Sequence, residues 1–326
     1  MVTLNNSSTF ILNISDGSTP QTLSASKLMS SMFLLLTFIF GLVMNSLYLW
    51  VLGFRMRKST NTTWFFHLIL GNLVFTLYIP LIAVYDITKP RWILGLFMCK
   101  IMNSLISLDM YLVIFVLTMI SVDRFCLVFH PLWYRKYMNP QKASAICLFL
   151  WILALLFTSP YLVFRKLKDE SNITTCYNDY GLYGRWNKQQ VKWIMFSTRL
   201  FLGFIIPFTI ISICYLKIIY KIRKENLVKS KNPYKIISIA IVSFFVSWAP
   251  YHLWYGMSAA EEGLFPKSLL DTLQVLTICL ICINSCFTPI MYLFIVENFK
   301  MMFRNSLLDL IELVLNETFS NRSLES

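Results

Sequence analysis

The sequence predicts an all-α fold, a bundle of seven transmembrane helices, on three observations. Of 326 residues, 57% are hydrophobic and 14% charged, with a mean hydropathy of +0.62. A soluble domain of this length cannot bury so much apolar surface, so lipid must cover it. The apolar residues gather into seven stretches, each long enough for the about 20 residues that cross a hydrocarbon core. Most of the charge lies in the short segments between them. Such long runs, without two-residue alternation, exclude a β-barrel, and a helix is the other way to pair every backbone polar group in lipid. There is no internal repeat and no low-complexity segment.

Residues 1–27 are polar, rich in Ser and Thr, and lack the apolar core of a cleavable signal peptide. The first span is therefore expected to act as the targeting signal. The spans are read at 28–53, 62–86, 98–130, 142–164, 193–222, 232–257 and 268–295, with 28–295 forming the bundle and 296–326 the tail. The first connection holds Arg55, Arg57 and Lys58. A later segment on the same side holds Lys217, Lys221, Arg223, Lys224, Lys229, Lys231 and Lys235. Basic loops stay in the cytosol, so a multi-pass plasma-membrane protein with an extracellular N-terminus and a cytoplasmic tail is expected. Glycosylation sequons at Asn5, Asn6, Asn13 and Asn172 fall on the outer side, whereas those at Asn61, Asn316 and Asn321 fall inside. The net charge of +13 does not call for nucleic acid, because much of it lies where it sets topology and attracts anionic membrane lipid.

Six of the eight cysteines (Cys126, Cys147, Cys214, Cys279, Cys282 and Cys286) lie in spans, where a thiol packs as a small hydrophobe. Cys99 opens the third span and Cys176 lies in the long loop before the fifth. Both are on the oxidising side, so they are expected to pair and tether that loop across the bundle. No nucleophile–base pair, metal cluster or phosphate loop stands out, which argues against an enzyme or a cofactor. A bundle with no soluble catalytic domain can still change shape in response to something outside, which points to a receptor.

Motifs in every span resemble the rhodopsin-like (class A) G-protein-coupled receptors. Asn45 matches the family's first-span Asn, Trp92 precedes Cys99 as in the family, and Asp123-Arg124-Phe125 resembles Asp-Arg-Tyr. Trp151 matches span four, and Pro207 and Tyr215 match span five. Ser247-Trp248-Ala249-Pro250 resembles Cys-Trp-x-Pro, and Thr288-Pro289-Ile290-Met291-Tyr292 resembles Asn-Pro-x-x-Tyr. Glu297-Asn298-Phe299-Lys300 looks like the start of the family's short amphipathic eighth helix. Within the family, Phe65-Phe66-His67-Leu68, the segment 197–204 and Pro250-Tyr251-His252 are similar to the chemoattractant group of formyl-peptide, anaphylatoxin and chemerin receptors. Asn45-Ser46-Leu47-Tyr48-Leu49-Trp50 points to the orphan member of that group.

The resemblance implies roles. Arg124, a cation at a membrane boundary, is partnered at rest by Asp123 and turns on activation toward Tyr215 and a heterotrimeric G protein. Many relatives hold this Arg with an acid on span six, but Val228-Lys229-Ser230-Lys231 has none, so some basal activity is expected. Arg199, in the outer half of span five, is expected to bind a ligand carboxylate; an internal ion pair is the alternative. Met195, Tyr251, Trp254, Tyr255 and Gln274 are expected to line the pocket with it. Trp248 and Phe244 lie deeper, beside the kink at Pro250. A basic rim of Arg165, Lys166, Lys168, Arg185, Lys188 and Lys192 either steers anions or is a solvated loop.

Two departures matter. The family's sodium-binding Asp is Asn72 here, and the span-seven Asn is Thr288. Asp109 is expected to face the same cavity as Asn72, Asn284 and Thr288, either replacing that carboxylate or standing neutral against backbone. The N-terminus holds one acid, Asp16, and no Tyr before Tyr48, which argues against a sulfated docking site. The leading reading is a receptor for an extracellular peptide or small acidic ligand, signalling through G proteins of the inhibitory class; the alternative is a non-coupling decoy. The short tail offers Ser306, Thr318, Ser320, Ser323 and Ser326, so arrestin recruitment is expected to be weak.

Overall fold

A computed structural model describes residues 2–5, 9–12, 21–88, 90–182, 184–225, 232–261 and 263–293, with side-chain environments given for most residues from 27 to 286 except 89, 183, 226–240 and 262, and for 288. Seven helical spans run in sequence. Helix α1 (Ala25–Trp50) continues as a π-helical turn, Val51–Arg55. Helices α2 (Thr60–Thr88) and α3 (Gly95–Phe129) follow, then a short α4 (Pro131–Tyr137) and α5 (Pro140–Phe164). The fifth span is α6 (Lys188–Leu200), a π-helical segment Phe201–Ile205, and α7 (Ile206–Glu225). Helices α8 (Asn232–Ala259) and α9 (Lys267–Leu293) close the bundle. Over the described residues, six segments are long and apolar enough to cross a membrane; α8, at 28 residues, has the required length as well.

These helices form where the sequence places its apolar runs, but they overrun the hydrocarbon by a few residues at several ends. The reason is that a helix pairs its own backbone and need not stop where the side chains turn polar. Helix α3 is the axis: 67% of its central window is buried, against 28% for α5 and 22% for α1. The outward faces of α1, α5 and α7 carry exposed Leu36, Leu148, Leu156, Phe208 and Leu216, as a lipid-facing surface requires. Trp151 Nε1 donates to His67 Nδ1 at 3.3 Å, tying α5 to α2.

The long loop after α5 is folded rather than irregular. Strands β1 (Val2–Asn5), β2 (Thr9–Leu12) and β3 (Gln21–Ser24) form one antiparallel sheet, and β4 (Arg165–Glu170) pairs with β5 (Ile173–Asn178) in a hairpin with Leu167 opposite Cys176. Ser171 and Asn172 make its turn at φ 51° and 63°, a region Asn tolerates better than most residues. The disulfide Cys99–Cys176 ties β5 to the start of α3, and Trp92 N donates to Thr174 O at 2.7 Å. The expected loop-tethering bridge is therefore present, and the hairpin lies across one end of the bundle. Asn172 is exposed at its tip; Asn6 and Asn13 lie outside the described residues, as do Lys229, Lys231, the expected eighth helix and the tail serines and threonine.

Candidate functional site

Beneath the hairpin, two small adjoining cavities share the walls Ile82, Asn103, Ile106, Trp254, Gln274 and Ile278. The deeper one is completed by Phe75, Tyr251, Thr277 and Ile281, the shallower by Tyr78, Tyr85, Trp92, Arg165 and the Cys99–Cys176 bridge. The walls are mostly apolar. Three polar groups on them have no hydrogen-bond partner: Arg165 Nε, the Tyr78 hydroxyl and the Thr277 hydroxyl.

Arg165 is the first residue of β4, where the chain leaves α5 and turns over the cavity. Its Nη1 donates to the Cys176 carbonyl at 3.4 Å. Burial pulls its guanidinium below the ordinary arginine value, while Tyr180, Tyr85, Tyr78 and Tyr255 act against that shift; an arginine in this situation stays charged. No carboxylate forms an ion pair with it among the described residues. The rest of the anticipated rim behaves as a solvated surface: Lys166 pairs with Asp179 at 2.8 Å and Lys168 pairs with Glu170.

Arg199 sits behind this wall rather than on it. It is 0% exposed and donates from Nη2 to Ser107 Oγ. Its guanidinium carbon lies 4.2 Å from the ring centre of Tyr161, 4.8 Å from Tyr255 and 5.1 Å from Tyr251. The internal ion pair weighed from sequence is not what holds it; aromatic faces are, since each attracts a cation through its quadrupole. Of the residues expected around the pocket, Tyr251, Trp254 and Gln274 line the cavities. Met195 and Tyr255 are buried with Arg199's neighbours, and Trp248 is buried one layer deeper. Ring contacts connect the layers: Tyr251 to Trp248 at 5.4 Å and Trp248 to Phe244 at 5.9 Å. Pro250 lies within α8 between Trp248 and Tyr251.

The polar core divides. Asn45 Nδ2 donates to the Gly41 carbonyl at 2.9 Å and Thr76 Oγ1 at 3.3 Å, and reaches the Ser285 carbonyl at 3.4 Å. Asn284 accepts from Ser243 at 3.2 Å, and the Thr288 hydroxyl turns back to the Asn284 carbonyl at 2.6 Å. Asn72 is buried with both side-chain polar atoms unpartnered. Asp109 is hydrogen-bonded to none of them. It is 5% exposed, its Oδ1 has no partner, and it lines a small cavity with Gly71, Val74, Phe75, Leu105, Leu108, Leu112 and Trp151. On α3 it faces this cavity between α2 and α5. A sodium ion needs several oxygen ligands, and no other side chain in that cavity offers one, so the residues around Asp109 do not fit a cation.

At the opposite end of the bundle, Asp123 Oδ1 accepts from Trp64 Nε1 at 3.1 Å and from the Tyr134 hydroxyl at 2.8 Å. Burial and that bond to Asp123 raise the Tyr134 hydroxyl above the ordinary tyrosine value, so it remains a donor. Arg124 lies 3.9 Å from Asp123 Oδ2 and donates to Asn61 Oδ1. Tyr215 is buried on α7. Pro289 and Tyr292 belong to the helical backbone of α9, and their side chains lie outside the described residues. Asn61, Trp64 and Tyr134, which contact this Asp-Arg pair, are candidate-site residues that sequence reasoning passed over. The available signal was their position near the Asp123 end, with Tyr134 only eleven residues beyond Asp123.

The sequence profile of the 7 transmembrane receptor (rhodopsin family) matches residues 44–292. The chain is 37% identical over 326 residues to Probable G-protein coupled receptor 33 of Homo sapiens, covering 97% of each. It is 38% identical over 329 residues to the Mus musculus protein of that name, covering 98% of this chain and 95% of that one. It is also 34% identical over 272 residues to Chemerin-like receptor 1 of Sus scrofa, covering 80% of this chain and 75% of that one. The likeness to the group's orphan member suggested by the segment from Asn45 to Trp50 is thus borne out, and so is the kinship with chemerin-type receptors. With its helices of membrane-crossing length and this match across most of its length, the chain belongs to the rhodopsin family of seven-transmembrane receptors, multi-pass membrane proteins.

Proposed function

We propose that the chain is a plasma-membrane receptor for an extracellular ligand with an anionic end, a chemoattractant-type peptide or a small acid, and that it signals through heterotrimeric G proteins of the inhibitory class. The observation that carries this reading is Arg165: a half-buried cation with no ion pair among the described residues and its Nε unpartnered, on the wall of a largely apolar cavity beneath the disulfide-tethered hairpin. A cation in such a place is costly unless an anion completes it, and a guanidinium binds a carboxylate through two parallel bonds. The apolar depth, from Ile106 to Phe75 and Ile281, suits a hydrophobic residue or chain next to that anionic group. Arg199 is then a second, cationic contact for that anion, reached only when the rings of Tyr251 and Tyr255 move aside. In this reading residues 1–27 are extracellular and glycosylated, with glycan also at Asn172, and 296–326 lie in the cytosol with the eighth helix, arrestin contact there being weak.

Ligand contact at Tyr251 and Trp254 is passed to Trp248 and Phe244 through touching rings. A ligand that packs better against one arrangement of these rings shifts the population of α8 positions about Pro250. The test is agonist-independent suppression of cyclic AMP in transfected cells, wild type beside Arg124→Ala at matched surface expression. Suppression that the substitution abolishes supports inhibitory coupling. Internalisation of bound ligand without any G-protein response supports the non-coupling decoy, a reading favoured by the unpartnered Asn72 side chain.

A further inference from the structure

Helix α8 has no acid with which to hold Arg124. Between Glu225 and Glu261 the chain contains no acidic residue, so no carboxylate on that helix can reach the guanidinium. A cation at a membrane boundary still requires an acceptor. Asp123 serves it poorly. Arg124 Nε lies 3.9 Å from Asp123 Oδ2 and makes no hydrogen bond, because the carboxylate is taken up by Trp64 of α2 and Tyr134 of α4 through its other oxygen.

The acceptor comes instead from the first turn of α2. Arg124 Nη2 donates to Asn61 Oδ1. That turn is closed by a reciprocal cap: Ser59 N donates to Thr62 Oγ1 at 2.8 Å and Thr62 N donates to Ser59 Oγ at 3.1 Å. Asn61 is thus held on a fixed backbone, with buried Trp64 one turn further along the same helix. We infer that Asn61 is the resting-state anchor of Arg124, a positioning residue that takes the part an acid on α8 would otherwise play, so that α2 rather than α8 keeps the receptor quiet. Activation then exchanges the Asn61 amide for a partner on the G protein. A neutral amide gives one charge-assisted bond where an ion pair would give more, so the resting state is held lightly. This inference rests on the reading of the chain as a coupling receptor.

The experiment uses the full-length receptor in lipid nanodiscs as wild type, Asn61→Ala, Asn61→Asp and Arg124→Ala. Two quantities are read: agonist-independent nucleotide exchange on an inhibitory heterotrimeric G protein, and deuterium uptake of the segment 120–137 without G protein. Loss of one hydrogen bond to a charged group raises basal exchange by on the order of tenfold in Asn61→Ala. Asn61→Asp turns the contact into an ion pair and lowers exchange below wild type. Uptake around Arg124 rises in the first variant and falls in the second, a reversal of sign that mere damage to α2 would not produce. Basal exchange unchanged in Asn61→Ala, beside a wild type whose exchange Arg124→Ala abolishes, overturns the inference. So does activation by Asn61→Asp, or uptake identical in all variants. Uptake that responds as expected while no variant drives nucleotide exchange keeps the anchor and overturns the coupling reading.

Discussion

The guanidinium of Arg199 on α6 lies 4.2 Å from the ring centre of Tyr161 on α5, at full burial and with no carboxylate in reach among the described residues. With Tyr251 and Tyr255 of α8 on its other sides, this cation joins three helices through aromatic faces and one bond to Ser107 of α3. Such a residue supports the wall of the cavity from behind.

Replacing Arg199 is therefore expected to weaken the bundle itself. Arg199→Ala removes a large buried side chain and its aromatic contacts, a loss of about 2–4 kcal/mol by comparison with other large-to-small core changes. Arg199→Met restores volume without charge and recovers part of it. The melting midpoint of the purified receptor, with no ligand added, checks both.

Arg165 is expected to behave in the opposite manner. Arg165→Ala leaves the melting midpoint within a few degrees but weakens an agonist ending in a free carboxylate by about 10- to 100-fold, the worth of a charge-assisted pair in a sheltered site. Amidating that terminus costs wild type the same factor and costs the variant little. A thermodynamic cycle over the two changes reads the coupling directly, and additive losses would remove Arg165 from the anion site.

The hairpin depends on its bridge. Cys176→Ser frees β5 from α3 across a sequence separation of 77 residues, which is expected to destabilise by about 2–4 kcal/mol and to lower surface expression. Since Arg165 pairs in register with Asn178, two residues beyond Cys176, agonist potency falls as well. Surface staining and dose–response curves at matched expression separate the two effects.

Sodium is expected to have no specific effect. The cavity at Asp109 offers one carboxylate amid Gly71, Val74, Phe75, Leu105, Leu108, Leu112 and Trp151, and Asn72 has no charge to replace it. Exchanging sodium for a large organic cation at constant ionic strength leaves agonist affinity and basal signalling unchanged. A shift that Asp109→Asn abolishes would show that this side chain binds the ion.

Most of the architecture was legible in the residues. Hydrocarbon thickness demands long apolar runs, and the chain has seven of them, so the helices could be placed to within a few residues. The bond between Cys99 and Cys176 followed from their sharing one side of the membrane. The Asp123-Arg124 and Trp248–Pro250 motifs marked their own ends of the helices. The pocket wall at Tyr251, Trp254 and Gln274 was also readable.

What tertiary structure alone decided is which side chains face one another. Sequence assigned Arg199 to a ligand or an internal ion pair and left Arg165 in a basic rim that either steers anions or is solvated; packing buries the first behind three tyrosines and turns the second over the cavity, because the chain reverses at Arg165 to begin β4. Sequence grouped Asp109 with Asn72 and Asn284, and only packing shows that it lines a small cavity with Trp151. It also left Arg124 without an acid on span six, and the start of α2 supplies Asn61. The apolar pattern determines that a helix spans the membrane and roughly where it ends. Its rotation and its neighbours are set by the packing of all the helices together, and the polar contacts that decide function depend on those two quantities.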